Sequence, residues 1–468
     1  MTDFSQKHPK LTTFYQLTPK TDLHQQLMGH SRWQKPVLII PSLASEFNQE
    51  ENRPIFENII RELKRARYLD KIIIGLDQGT EQDVQLLREI LCSHGIKNFF
   101  IQWNDGPGFS SLYNRLEGTG LDLSIRGKGR NLFMGFGVAI ALGATAVGLL
   151  DADIRTFKKA QLDRLFYPVV ILNYQFSKAY YARWDGQRMF GRVKRLLLDP
   201  LLLALKRKFT DSQEEKMVRL IDFLLSFNYQ LSGEVVLSTD LLKRCRYASH
   251  WGIEIFTLIE AWRKANQVAQ VEFTRGAFDH KHQKISQDDP KAGLHKMAVD
   301  IVTTLFKALI IEEGLEVSDH FFRDMAVTYI SIAEDLIKKY SDNARFNGLE
   351  YDRDAEEAAV HQVFAKAILF AGFILESPQH IAENIIRFVT AHEEFKQFLD
   401  TGFIETIMKV EDRLRMEVFI ESELPSWERV QEKDPDIIRA IIDVIEDEKV
   451  KYGPLSRQKN RTAAKRPI

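Results

Sequence analysis

Residues 131–150 read NLFMGFGVAIALGATAVGLL, a run without a single charge that leads at once into Asp151-Ala152-Asp153. A run of that length is enough to cross a bilayer as one helix. It is also enough for a buried helix and a buried strand laid end to end. Gly143, followed by Ala-Thr-Ala, supplies a break inside the run. Beyond it AVGLL ends on two carboxylates, which is how a central strand of an α/β sheet delivers polar groups to a cleft. The second reading is adopted: a soluble chain with a central strand just ahead of Asp151.

The flanking sequence agrees. VLIIPSL (Val37–Leu43), KIIIGLD (Lys71–Asp77) and NFFIQW (Asn98–Trp103) read as short buried strands. Between them, Ile55–Leu69 and EQDVQLLREILCSHG carry apolar residues at helical spacing, the latter ending at Gly95 as a C-cap. Alternating strands and helices predict a mostly parallel sheet wrapped by helices. Ligands of such sheets sit beyond the C-terminal strand ends, so Pro41–Glu46, Asp77–Thr80 and Asp151–Asp153 should share one cleft. From about Asp289 the texture becomes helical throughout: Ala292–Glu313, Asp319–Tyr340, Asp354–Leu375, His380–Leu399 and Ile404–Glu421. The expected organisation is an N-terminal extension (1–34), an α/β domain (35–288), a helical C-terminal domain (289–450) and a basic, solvated tail (451–468). No internal repeat is found.

Composition narrows the function. Lys+Arg number 64 against 65 Asp+Glu, so the near-neutral chain offers no electrostatic case for a nucleic-acid or membrane-surface partner. Only Cys92 and Cys245 occur, far apart, which excludes a disulfide framework and a cysteine zinc site and suits a reducing cytoplasm. The polar N-terminus has no signal-peptide core.

Four features can carry chemistry. An Asp-x-Asp at a strand end offers one or two carboxylates to a hard divalent cation, which can bridge the oxygens of a diphosphate. Gly127-Lys128-Gly129 lets backbone N–H groups and an ammonium approach a phosphate at a helix start, although it is neither a Walker motif nor a dinucleotide fingerprint. A loop tip explains those glycines equally well. Asp279-His280-Lys281-His282-Gln283, after an edge strand VAQVEFT, can add an imidazole to a metal already held by a carboxylate, or be a polar surface loop. Trp251-Gly252-Ile253-Glu254 places a carboxylate at a helix N-terminus, where capping accounts for it as readily as catalysis.

Taken in order, PSLASE, LDQGT, GKG, DAD, GRVKRLLLDPLL, LSGE, HWGIE and DHKHQ resemble the retaining GT-A glycosyltransferases of the glucosyl-3-phosphoglycerate synthase type. The resemblance spans Val37 to Gln283, and Gly191-Arg192-Val193-Lys194 with Asp199-Pro200-Leu201-Leu202 is its most specific segment. It implies a GT-A (Rossmann-like, mixed but mostly parallel) domain and metal-dependent transfer of glucose from UDP-glucose, or another nucleotide-glucose, to 3-phosphoglycerate in compatible-solute (glucosylglycerate) synthesis. The implied donor site is Pro41, Ser42, Leu43, Glu46, Asp77, Gln78, Lys128, Asp151, Ala152, Gly233, Glu234 and Glu254. Asp153 and His280 would hold Mg2+ or Mn2+, and Asp153, Glu234 and Lys128 would carry catalysis. Gly191, Arg192, Val193, Lys194 and His282 would bind a small phosphorylated or carboxylated acceptor. A homodimer is also implied.

The match is incomplete at three places. Ala44-Ser45-Glu46 stands for the family's Asn-Glu-Glu, Lys194 for a threonine, and Phe278 for an acceptor-binding arginine. Two alternatives stay open: a related transferase using GDP-mannose, another donor, or glycerate, glycerol or a sugar as acceptor; and a non-catalytic nucleotide-sugar binding or scaffold protein. An inverting enzyme would need a carboxylate base, for which Glu234 or Glu254 could serve. Resemblance implies retention instead.

Overall fold

The computed structural model describes residues 5–18, 22–124, 126–280, 293–317, 319–391, 401–416 and 423–454. Eight strands form one sheet: β1 (Leu11–Phe14), β2 (Pro36–Leu43), β3 (Lys71–Asp77), β4 (Phe99–Trp103), β5 (Ala146–Leu149), β6 (Phe176–Tyr180), β7 (Val235–Ser238) and β9 (Val268–Glu272), in the order β1-β9-β6-β7-β5-β2-β3-β4. All neighbours are parallel except β7, which runs against both β5 and β6. The sheet is apolar on both faces because alternate residues enter different cores. Val37 and Ile39 join one cluster, Leu38 and Ile40 the other.

The uncharged run is divided as expected, into the helix Lys128–Ala141 and β5, with Gly143 between them at φ +73°. From Leu132 to Ala139 the helix is apolar all round because that stretch is buried all round. Gly135 approaches Ile39 on β2, while Gly137 sits where a Cβ would lie 2.3 Å from the ring of Trp427. That indole stacks on Phe133 at 4.9 Å and donates from Nε1 to the Phe133 carbonyl at 3.1 Å. The covering residues come from the end of the chain, in the helices Trp427–Lys433 and Ile437–Tyr452.

Two expectations are corrected. VAQVEFT is not an edge strand: β1 pairs outside β9 in parallel register, Leu11 opposite Val268, so β9 is covered on both sides. A four-residue strand set in polar sequence carries too little periodicity to be seen beforehand. Asp354–Leu375 and His380–Leu399 are not separate helices either. One helical path runs from Arg353 through a π-turn at Val360–Phe364 and on from Ala365 to Ala391, packed along the helix Gly293–Glu313. Continuous tertiary packing overrides the local break. The stretch Arg353–Glu376 is long and apolar enough to cross a membrane, yet more than half of its most apolar 18-residue window is buried inside the chain.

The helices Gly293–Glu313 and Asp319–Phe346 pack into the same core as the Lys128–Ala141 face of the sheet. A two-stranded ribbon, β8 (Tyr247–Ala248) with β10 (Glu423–Leu424), joins the two ends of this assembly. Cys92 and Cys245 are both free thiols. The basic residues 455–468 lie outside the described residues.

Candidate active site

The cleft is laid out by strand register. Leu43 on β2 is opposite Asp77 on β3, and Ile39 is opposite Leu149 on β5. Pro41–Leu43, Asp77–Gln78 and Asp151–Asp153 therefore leave the sheet at one rim. Ser42 is buried and donates from Oγ to the Leu43 carbonyl at 3.1 Å, whereas Leu43 itself is exposed. Glu46 lies in the one-turn helix Ser45–Asn48 just beyond. Asp77 accepts from Asn104 Nδ2 at 2.8 Å and Asn131 Nδ2 at 3.0 Å, although burial still pushes its carboxyl above the usual range. Gln78 takes a left-handed backbone, φ +53°, turning the chain out of β3.

Lys128 opens its helix and points Nζ between two carboxylates, 2.7 Å from Asp151 Oδ1 and 2.9 Å from Glu254 Oε1. Burial works against its charge, but Asp151 and Glu254 outweigh burial and hold its pKa well above normal. Glu254 is thus a partner of Lys128; the helix Ile253–Lys264 that it opens has no side-chain cap bond. Gly129 is demanded by packing, since a Cβ there would sit 2.2 Å from the Ala248 carbonyl oxygen. Gly233 is demanded by the pair itself: its Cβ would lie 2.5 Å from Asp151 Oδ2 and 2.8 Å from Lys128 Nζ. Ala152, between the two aspartates, is buried.

Asp153 and His280 meet although 127 positions separate them in the numbering. His280 Nδ1 lies 3.7 Å from Asp153 Oδ1, and one ligand atom from each of Asp151, Asp153 and His280 falls within 4.8 Å of the others. Burial would raise the Asp153 carboxyl, but the His280 contact and nearby Lys128 and Arg183 bring it below the ordinary value. Among the described residues the buried His280 Nε2 has no hydrogen-bond partner. Two carboxylates and an imidazole with an unsatisfied nitrogen are a donor set that fits a divalent ion such as Mg2+ or Mn2+.

Glu234 is fully buried; Tyr181 donates its hydroxyl to Oε2 at 2.6 Å, and Oε1 has no hydrogen-bond partner among the described residues. Burial, and then the charge of Asp151, push this carboxyl up. Three neighbours escaped the sequence reading: Lys178, whose Nζ donates to the Ser232 carbonyl at 2.6 Å, and Arg183 and Tyr229, which flank Gly191. A lysine inside the strand segment FSKAY was the available signal for the first.

Gly191, at φ +78°, precedes a π-helical turn Val193–Leu198 and lies against Arg183 and Tyr229, whose ring is 5.0 Å from that of Tyr181, the partner of Glu234. Arg192 Nε is 3.6 Å from Glu356, and Lys194 pairs with Asp199. Phe278 is fully buried in an aromatic cluster, its ring 3.7 Å from Tyr181 and 4.8 Å from His280. His282 lies outside the described residues.

No protein-family model matches the sequence. Among curated proteins, a glucosyl-3-phosphoglycerate synthase of Persephonella marina is 38% identical over 352 residues, 74% of this chain and 83% of that protein. One of Methanococcoides burtonii is 32% identical over 380 residues, 79% of this chain and 89% of that protein. Among solved structures, a glucosyl-3-phosphoglycerate synthase from Mycobacterium tuberculosis, in complex with Mn2+, UDP and glucosyl-3-phosphoglycerate, is 20% identical. That match covers 66% of this chain and 89% of the other, with a TM-score of 0.45. A mannosyl-3-phosphoglycerate synthase from Rubrobacter xylanophilus also matches at 20% identity, covering 66% and 86%, with a TM-score of 0.45.

Proposed function

Because the chain belongs to the glucosyl-3-phosphoglycerate synthase family of glycosyltransferases, we propose that it moves glucose from UDP-glucose to 3-phosphoglycerate. The observation that carries the reading is the convergence of Lys128, Asp151, Asp153 and His280 at one rim of the sheet. Asp153 and His280, with Asp151 beside them, would hold Mg2+ or Mn2+. When bound, the ion supplies positive charge to the departing diphosphate.

The protein's own groups divide the remaining work. Lys128, kept charged by its two carboxylates, offsets the charge developing on the leaving phosphate oxygen, a term usually among the largest in such reactions. Pro41, Ser42, Leu43, Glu46, Asp77 and Gln78 line the rim that would take the nucleotide. Gly233 presents bare backbone where a side chain would strike Asp151 and Lys128, and so keeps that pair in place at the rim. Glu234 Oε1, buried without a partner, is an acceptor for a glucose hydroxyl. Gly191, Arg192, Val193 and Lys194 would receive the acceptor's phosphate or carboxylate.

The stereochemistry proposed is retention. The acceptor oxygen bonds to the sugar's anomeric carbon on the face from which the diphosphate leaves, and its proton passes to the leaving phosphate oxygen. Glu234 then orients the sugar and forms no covalent bond. Synthesis of glucosylglycerate as a compatible solute, a cytoplasmic location and a homodimer complete the reading; light scattering on a sizing column reports the last.

The test incubates pure protein with UDP-glucose, 3-phosphoglycerate and Mn2+ or Mg2+, then replaces the donor with GDP-mannose and the acceptor with glycerate or glycerol. Glucosyl-3-phosphoglycerate should form fastest from the first pair. Undiminished transfer in excess EDTA would rule out the metal role, and calorimetric binding without turnover of any pair would leave a binding protein.

A further inference from the structure

Lys178 lies within β6, 1% exposed, with Val235 of β7 and Gln270 of β9 opposite it. Burying an ammonium there is costly, and an apolar chain of similar length would fill the space more cheaply. Its bonds indicate what the charge does. Nζ donates to the Ser232 carbonyl at 2.6 Å, Ser232 Oγ donates to the Ala179 carbonyl at 2.7 Å, and Ala179 N donates to the Glu234 carbonyl at 3.0 Å. Three bonds therefore fasten the turn Ser232-Gly233-Glu234 to β6. That same turn sets the Gly233 α-carbon against Asp151 and Lys128 and aims the Glu234 carboxylate at Tyr181.

We propose that Lys178 is a positioning residue for the donor sugar: its ammonium fixes the Ser232–Glu234 turn and, through it, holds the Glu234 carboxylate in register with the Lys128–Asp151 pair. The inference rests on the reading of this cleft as a nucleotide-sugar site. The charged groups around Lys178 are Glu254 on the helix Ile253–Lys264, Glu234 leading into β7, Lys128 at its helix start and Asp151 after β5. Burial lowers the Lys178 pKa to about 8 while Glu254 and Glu234 act against that fall, so the charge is present at neutral pH and lost above it.

The experiment uses the full chain and two variants, Lys178→Met and Lys178→Arg, titrated calorimetrically with UDP and with UDP-glucose in Mn2+ at pH 7 and pH 9. Lys178→Met should leave UDP affinity within twofold and weaken UDP-glucose about tenfold relative to UDP, with kcat down 10–100-fold. Wild type should lose the same preference at pH 9, and Lys178→Arg should keep it. An unchanged UDP-glucose to UDP ratio in Lys178→Met would overturn the proposal, as would equal weakening of both ligands. Should Lys178→Met fail to fold by circular dichroism, the pH comparison between wild type and Lys178→Arg decides in its place, identical pH dependence being the negative result. If wild type transfers glucose to no acceptor and the ratio still shifts, the functional reading fails and the role of Lys178 stands. If transfer is confirmed and the ratio does not move, only the role of Lys178 falls.

Discussion

The helix Ile253–Lys264 ends two clusters of buried charge, and they are satisfied very differently. At its start Glu254 joins Lys128 and Asp151 in the cleft. Towards its end Glu260 joins a junction beneath the C-terminal helices, where Arg246 gathers Glu260 at 3.1 Å, Glu423 at 3.0 Å and Glu312. Lys264 also holds Glu260, Arg263 holds Glu312, and Lys307 approaches Glu423 at 3.7 Å. None of these junction carboxylates has a buried oxygen without a partner among the described residues, while the cleft leaves Glu234 Oε1 and His280 Nε2 unsatisfied. Native proteins rarely strand buried polar atoms. The saturated cluster has the character of a structural joint, while the unsatisfied atoms of the cleft lie beside Asp151 and Asp153, where the proposed donor and ion would meet them.

The difference breaks if mutations on both sides behave alike. Asp153→Ala should have the largest effect, lowering transfer by roughly 10²–10³-fold or more and abolishing Mn2+-dependent UDP binding, with thermal stability hardly moved. An activity assay, calorimetry and a melting curve read all three. Glu260→Ala should do the reverse. Removing one member of a buried ionic network costs about 3–5 kcal/mol, because Arg246 and Lys264 keep their charges without it. Denaturant unfolding should show that loss, and the specific activity of the folded fraction should stay at the wild-type level. Glu234→Gln comes third. It keeps the shape and one acceptor but removes the charge, so transfer should fall roughly 10–100-fold, the value of a hydrogen bond to a charged group. UDP affinity should be unchanged by calorimetry, and a matching loss there would move Glu234 from the sugar to the nucleotide.

How far each cluster could be read beforehand follows from chain separation and charge pattern. Asp151 and Asp153 were visible because an apolar strand runs straight into them, and the sheet could be read because Val37–Ile40 is apolar on both faces. Resemblance, not spacing, brought His280 to Asp153. Nothing local marked Arg246 as a hub, since its carboxylates come from 14, 66 and 177 residues further along. In the sequence each is one more charge on an amphipathic helix or loop. Lys178 was hidden for the opposite reason: one lysine in a short strand is normally a solvated edge, and only strands on both sides, from distant parts of the chain, bury it. The strand β1 escaped similarly, its pairing with β9 being settled 257 residues later.

The finest test compares the two buried lysines. Burial lowers both Lys178 and Lys307 to about 8, against the attraction of Glu254 and Glu234 for the first and Glu423 for the second. The unfolded chain titrates these lysines near 10.4. Between about pH 8 and 10 it therefore binds more protons than the native state, so stability contributed by each lysine rises with pH, by about 2 kcal/mol at most. From about pH 9 buried thiol and phenol groups oppose that rise: burial holds Cys245, Tyr113, Tyr181 and Tyr247 above their usual ranges, so the unfolded chain loses those protons first. Urea unfolding at pH 8 and pH 10 should show a change in stability about 2 kcal/mol less favourable in Lys178→Met, and likewise in Lys307→Met, than in wild type. Activity should separate them, declining over the same interval in wild type and in Lys307→Met because Lys178 discharges in both. A Lys307→Met protein whose activity no longer declined would place the titrating group at the joint and erase the distinction between the two clusters.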